Sequence, residues 1–234
     1  MSKFIDVYDD IIYKLENNEN FHFARYGDGE WGIVFKNELF TTHILKRWGD
    51  SLIPFSDVLR KVIESKPKYY FGVQNLAYSL WPKEIDDMIE GIDCVNSDIF
   101  HNRSQGDRIS DFFNSLSKRN VVIVGPEYLK DIPLFKIYGH IITPEYHVWN
   151  EIDSISDNVE SFIKENVDSK LVFLYSCSIV TNILIDRFSS ENITQIDTGS
   201  LLDPYVGVNS RQYHIDVLRR VGIPDNKIRI PKIK

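Results

Sequence analysis

Apolar side chains recur along this chain at two spacings that take turns. Phe4, Val7, Tyr8, Ile11, Ile12 and Leu15 fall three and four apart, which places them on one stripe of an amphipathic helix. The polar run Asn17–Asn20 ends that stripe, and Phe21–Arg25 reads as a short strand. Trp31–Lys36 opens a second helical stretch. Ser56 reads as the N-cap of a helix carrying Val58, Leu59, Val62 and Ile63. Tyr69–Val73 is a strand, and Pro82 suits the first turn of a helix with Ile85, Met88 and Ile89. The second half is cleaner. Val121–Val124 is a β-branched run of the kind found in buried parallel strands, closed by Gly125-Pro126. His140–Thr143, Leu171–Tyr175 and Ile193–Ile196 are further strands. Helices fall between them over Asn150–Asn166 and through Val180, Ile183, Leu184 and Phe188, and a last helix follows with Tyr213, Ile215, Val217, Leu218 and Val221.

Alternating strands and helices predict a layered, Rossmann-like α/β fold with a largely parallel central sheet and helices on both faces. We expect one domain over residues 1–234, with room for a small lobe or insertion over about residues 40–105. Ligands of such sheets bind beyond the carboxyl ends of the strands. That singles out the loops Arg25–Glu30, Gly125–Glu127, Pro144–Trp149, Ser176–Ser178 and Asp197–Tyr205.

Composition narrows the function classes. The 27 basic and 34 acidic side chains leave a formal charge of -7, so nucleic acid is not an expected partner. Two cysteines, Cys94 and Cys177, make neither a disulfide framework nor a four-cysteine metal site, which fits a reducing cytoplasm. Met1–Asp6 lacks an apolar signal core, so export is not expected. No apolar run approaches the roughly 18–20 residues of a membrane span.

The loop Arg25-Tyr26-Gly27-Asp28-Gly29-Glu30 carries the most chemistry. Gly27-Asp28-Gly29-Glu30-Trp31-Gly32 matches G-x-G-x-x-G, and Asp50 lies downstream where a dinucleotide fingerprint wants an acid. That reading fails on charge. The fingerprint brings a pyrophosphate against bare backbone, and here two carboxylates share the space. Unit charges ~4 Å apart repel by about 4 kcal/mol at an effective dielectric near 20. The same acids become ligands if a cation is present. In extended backbone residues i and i+2 project to one side, so Asp28 and Glu30 would aim hard oxygens at one Mg²⁺ or Mn²⁺ that also takes phosphate oxygens. Gly29 leaves room for the approach, and Arg25 offers a planar donor fork. A solvated acidic turn is the plainer alternative.

Ala24-Arg25-Tyr26-Gly27-Asp28-Gly29-Glu30 resembles the R-[FY]-G-D-G-E hallmark of the GT-D type glycosyltransferases, formerly a family of unknown function. Val121–Pro126 is similar to that family's central strand, and Thr143-Pro144 with Trp149 resembles its "P, then N-A-[WF]" segment, with His147-Val148 in place of Asn-Ala. Leu174–Ser178 sits where the family often carries a glycine-containing turn. Ile196-Asp197-Thr198-Gly199 is similar to its I-D-[IV]-G element, and Leu202–Tyr205 with Ser210–Tyr213 resembles a branch of its relatives. The resemblance implies metal-dependent, inverting transfer of a sugar from a nucleotide-diphosphate donor, UDP-linked by expectation, to a glycan, glycoprotein or glycolipid hydroxyl. Asp28 and Glu30 would hold the divalent ion, and Arg25, Tyr26, Gly27 and Gly29 would meet the donor, joined by Ser176 and Asp197 from neighbouring loops. An attacking hydroxyl needs a base. Asp203, Asp197 and His147 are candidates on strand-end loops, and Asp203 is preferred because Asp-Pro-Tyr stands in a long loop of its own. A phosphoester or nucleotide-sugar hydrolase, and a non-catalytic nucleotide-sugar-binding module, are the rival readings.

Other features have ordinary explanations beside functional ones. Asp98–Arg103 reads as a polar loop or as pocket lining. Cys177 lies at a strand-to-helix turn but lacks the glycines of a nucleophile elbow. No H-x-x-x-H pair supports a zinc site. Trp31, Trp48, Trp81 and Trp149 are the aromatics to watch for stacking on a sugar or base, Trp31 lying beside the acidic pair, although core packing is the expectation for any single one. The basic tail Lys227–Lys234 fits a solvated edge guarded by lysines, or peripheral contact with an anionic membrane.

Overall fold

The computed structural model describes residues 3–37, 52–101, 106–167 and 170–230. Among the described residues, seven strands form one sheet with every pairing parallel. They are β1 (His22–Tyr26), β2 (Tyr70–Val73), β3 (Cys94–Asn96), β4 (Asn120–Pro126), β5 (Ile137–Thr143), β6 (Leu171–Tyr175) and β7 (Thr194–Asp197). The described α-helices are α1 (Tyr8–Glu16), α2 (Asp28–Val34), α3 (Leu52–Glu64), α4 (Asn75–Leu80), α5 (Pro82–Met88), α6 (Ile109–Ser115), α7 (Ile152–Glu165), α8 (Thr181–Arg187) and α9 (His214–Arg220).

Side chains alternate between the two faces of each strand, and each face has its own core. Ala24, Tyr26, Val122, Val124, Phe173 and Tyr175 pack with apolar residues of α2, α3, α7 and α8. Phe23, Val121, Ile123, Val172, Leu174 and Ile196 pack on the other side with Tyr8, Ile11 and Leu15 of α1 and Phe112 and Phe113 of α6. The fold is therefore a layered α/β sandwich with helices on both faces. β4 and β6 are buried almost throughout, which is why their sequences read as unbroken apolar runs.

The strand order β3-β2-β1-β7-β6-β4-β5 decides where a ligand fits. β1 to β3 step outward in one direction. β4 and β5 lie on the far side, and β6 and β7 fill the space back to β1. Where the direction changes, successive loops leave to opposite sides and open a crevice at the carboxyl ends.

Several local expectations shift. α3 begins at Leu52, so Ser56 is no N-cap; it sits inside the helix and its hydroxyl donates to the Ile33 carbonyl at 3.0 Å. Residues 38–51 and 102–105, with His43, Trp48, Asp50 and Arg103, lie outside the described residues. Residues 52–101 supply β2 and β3 to the central sheet. Trp31 is wholly buried, and Trp81 and Trp149 pack against the same core. In the basic tail, Arg229 bridges in parallel to Val208 and pairs with Glu145, while residues 231–234 lie outside the described range. Among the described residues no helix is long and apolar enough to cross a membrane.

Candidate functional site

β1 stops at Tyr26, Gly27 is extended, and α2 starts at Asp28. The acids Asp28 and Glu30 are thus the first and third residues of a helix. This corrects the extended Asp-Gly-Glu expected from the sequence. The cause is the set of N–H groups that a helix start leaves without partners. Glu30 Oε2 accepts the Gly27 N–H at 2.9 Å, the return half of a capping box. Asp28 Oδ1 accepts the Gly29 N–H at 3.0 Å, and Gln74 Oε1 accepts the Asp28 N–H at 3.1 Å. Negative charge is also favoured at this end of the helix dipole. Positions two apart on a helix point about 200° apart around its axis, yet Asp28 and Glu30 both line the same cleft.

That cleft has a volume of about 710 Å³ and opens at the carboxyl ends of the strands. Its walls come from the loop after β1, from Gln74 after β2, Tyr128 after β4, Glu145 after β5, Ser176 after β6 and Asp197 at the end of β7. Each of the five loops singled out by the strand pattern contributes. Among its charged lining residues acids outnumber bases: Asp28, Glu30, Glu145, Asp197 and Asp203 stand with Arg25 and Arg211, and Glu145 is paired with Arg229. Burial pushes the Glu30 carboxyl up to about 7, and the charges of Asp197 and Asp28 add to the rise. Burial likewise lifts Asp197 to about 6, against the pull of the Arg25 guanidinium and the Gly199 N–H.

The remaining expected residues divide by how they sit. Arg25 lines the cleft, and its carbonyl accepts from Asn182 at 2.8 Å. Its guanidinium lies against Gly199, whose φ of +52° and whose lack of a Cβ, which would fall 2.6 Å from Nη1, make glycine the residue that fits. Ser176 is in the lining, but its hydroxyl donates to the Gly199 carbonyl and so ties the β6 loop to the β7 loop. Tyr26 departs from its expected place at the donor. As the neighbour of Arg25 on a strand it faces the opposite way, fully buried and stacked on Phe71 at 4.0 Å. Asp203 is 4% exposed, and its oxygens accept hydroxyls from Tyr128 at 3.1 Å and from Ser210. His147 adopts a left-handed backbone beside the cleft residues Tyr146 and Val148. Ser178 also takes a left-handed conformation, φ +64°, at the turn where the family it resembles often carries a glycine and this chain has none. Cys177 is 1% exposed and burial pushes its thiol up to about 12, which disfavours the thiolate that a nucleophile needs.

Gln74, Tyr128, Ser200 and His101 line the cleft without being singled out individually by the sequence, although His101 falls in the stretch Asp98–Arg103 that reads as a polar loop or as pocket lining. Gln74 immediately follows a strand, a signal that strand-end position alone provides. His101 and Tyr213 meet ring to ring at 4.1 Å on the cleft wall, a long-range contact with no local signature. Asp98 is outside the lining and accepts from Asn75 Nδ2 at 2.8 Å, one residue after Gln74.

The chain is similar to a solved structure described as the highly conserved domain of unknown function 1792, which has a distinct glycosyltransferase fold. The TM-score is 0.61 at 13% identity, over 96% of this chain and 90% of that one. No family model matches the sequence, and no curated protein does. The likeness is one of fold, and the fold resembles that of a glycosyltransferase.

Proposed function

We propose that this protein transfers a sugar from a nucleoside-diphosphate donor to a hydroxyl of a saccharide or glycoconjugate, with a divalent ion at Asp28 and Glu30. The observation that carries the reading is the acidic glycine loop at the switch point of a glycosyltransferase-like sheet, opening on a cleft rich in carboxylates. A diphosphate would be repelled by these walls unless a cation came with it. The donor set suits a hard ion: it is carboxylate oxygen, and the charges of Asp197 and Asp28 add to the cost of ionising the buried Glu30. Among the described residues no three metal-ligating side chains form a cage of their own. The fitting arrangement is then the one Mg²⁺ and Mn²⁺ commonly adopt, with one or two carboxylates, substrate phosphates and water.

When bound, such an ion neutralises the charge that develops on the leaving diphosphate. Arg25 supplies further positive charge from the end of β1, and Asp197 holds the Gly199 N–H at 2.8 Å and so fixes the loop against that guanidinium. Inversion at the anomeric carbon is the proposed outcome of direct attack by the acceptor.

Titration calorimetry with UDP and Mn²⁺ tests the reading. Wild type is expected to bind UDP only with the ion, and Asp28→Ala to lose that binding. Unchanged binding by Asp28→Ala removes the metal assignment. Release of sugar from the donor at equal rates with and without an acceptor would favour the hydrolase instead.

A further inference from the structure

On the far wall of the cleft, polar side chains join into one chain. Ser200 Oγ lies 3.3 Å from the Tyr213 hydroxyl and 3.5 Å from His214 Nε2. His214 Nδ1 lies 3.5 Å from Ser210 Oγ, and Ser210 donates its proton to Asp203. Ser200 lines the cleft, while His214 has no exposed surface. Both histidine contacts are at the long limit of hydrogen bonding, where catalytic contacts commonly rest before substrate draws them together.

The direction of the chain follows from what each group can give. An ionised carboxylate only accepts. Ser210 therefore spends its proton on Asp203 and presents a lone pair to His214. That favours a proton on Nδ1. A neutral imidazole carries one N–H, so Nε2 keeps its lone pair and faces the Ser200 hydroxyl.

On the glycosyl-transfer reading above, we infer that Ser200 contacts the acceptor hydroxyl and passes its proton to His214, with Asp203 setting the direction through Ser210. As the acceptor oxygen bonds to the anomeric carbon, the bond from that carbon to the diphosphate oxygen breaks, and its electron pair leaves with the diphosphate. The acceptor proton moves to Ser200 Oγ, and the proton of Ser200 moves to His214 Nε2. The imidazolium later returns its Nε2 proton to Ser200 Oγ, whose own proton passes to water in the cleft, since His214 itself has no exposed surface. Asp203 is then a positioning residue, in place of the base expected from the sequence. This accounts for its burial and for the hydroxyl on each of its oxygens.

The charged groups around His214 agree. Burial first, then the charge of Arg211 and the nearby His101, bring the imidazole down to about 4, opposed by its hydrogen bond to the Val208 carbonyl. Asp203 reaches it only through Ser210. The ring is neutral at ordinary pH and has the basicity of a carboxylate.

The test uses the full chain with ¹⁵N-labelled histidine. His214 is expected as the Nδ1–H tautomer, neutral until about pH 4. A proton on Nε2 in the neutral ring overturns the inference. In parallel, a panel of UDP-sugars with Mn²⁺ is assayed for UDP release, with water and with p-nitrophenyl glycosides as acceptors. Ser200→Ala should lower kcat roughly 100-fold and leave the thermal shift by UDP and Mn²⁺ unchanged, while Ser200→Thr restores turnover. Wild-type turnover by Ser200→Ala overturns the inference. A wild type that consumes none of these donors counts against glycosyl transfer from them, and the tautomer then decides the proton path alone.

Discussion

At Glu30 one carboxyl caps α2 and, in the proposed reaction, holds a metal ion. Its ordinary value near 4.5 rises to about 7 on folding. The folded state thus holds the proton more tightly than the unfolded chain, so this group's contribution is greatest below pH 4.5 and is lost as pH climbs through about 7. Asp197, lifted from 3.8 to about 6, acts in the same sense. Glu30→Gln keeps an acceptor for the Gly27 N–H and removes the charge. It is expected to be more stable than wild type by about 1–2 kcal/mol at pH 8, with the gap closing towards pH 4.5, and to lose metal-dependent nucleotide binding. Urea denaturation at the two pH values measures the gap; a gap that widens on acidification contradicts the burial of this carboxyl. Cys177 gives a simpler check at the same scale. With its thiol buried and held near 12, it should resist iodoacetamide in the native protein, as read by mass spectrometry.

Glycines of separate elements have opposite tolerances. A Cβ at Gly29 meets nothing within 4 Å, and the position lies in the first turn of α2. Gly29→Ala should fold at least as well as wild type, gaining up to about 1 kcal/mol from helix propensity. If bare backbone at this position is what admits a diphosphate, the same variant weakens UDP binding without a loss in melting temperature. At Gly139 on β5 a Cβ would fall 2.5 Å from the Phe162 ring of α7. Gly139→Ala must push that helix or ring aside, at about 1–3 kcal/mol, and a lowered melting temperature is the readout. These elements were legible to different degrees. β4, β6 and α7 announce themselves because a strand buried on both faces is apolar throughout and a surface helix is striped. The start of α2 does not, because its cap is Gly27, which lacks the side-chain oxygen that usually marks a helix start.

Across the whole molecule, binding and stability are linked through the same carboxylates. A ligand that binds only the folded state stabilises it by about 2.7 kcal/mol at one hundred times its Kd, and in a chain of this size each kcal/mol raises Tm by roughly 2–4 °C. UDP with Mn²⁺ should therefore raise the melting temperature by several degrees. The rise should be smaller at pH 6 than at pH 8, because Glu30 takes up a proton near about 7 and a protonated carboxyl is a poor ligand. Differential scanning fluorimetry at both pH values reads this directly. An equal shift at the two values would place the ion away from Glu30.

The α/β class, the layered parallel sheet and the loops that border the cleft were determined by the order of apolar and polar residues. Periodicity is local, and the carboxyl end of each strand can be read without knowing its neighbours. The acids Asp28 and Glu30 were visible for the same reason, since they lie two positions apart in the chain. Partners distant in sequence were decided only by tertiary structure. Gln74 reaches Asp28 across the β1–β2 pair, Tyr26 turns from the cleft onto Phe71, and Asp203 is enclosed by Tyr128 and Ser210. Strand order, and with it the place where the crevice opens, depends on which strands lie side by side. That is settled by packing over the whole sheet, which no short window of sequence contains.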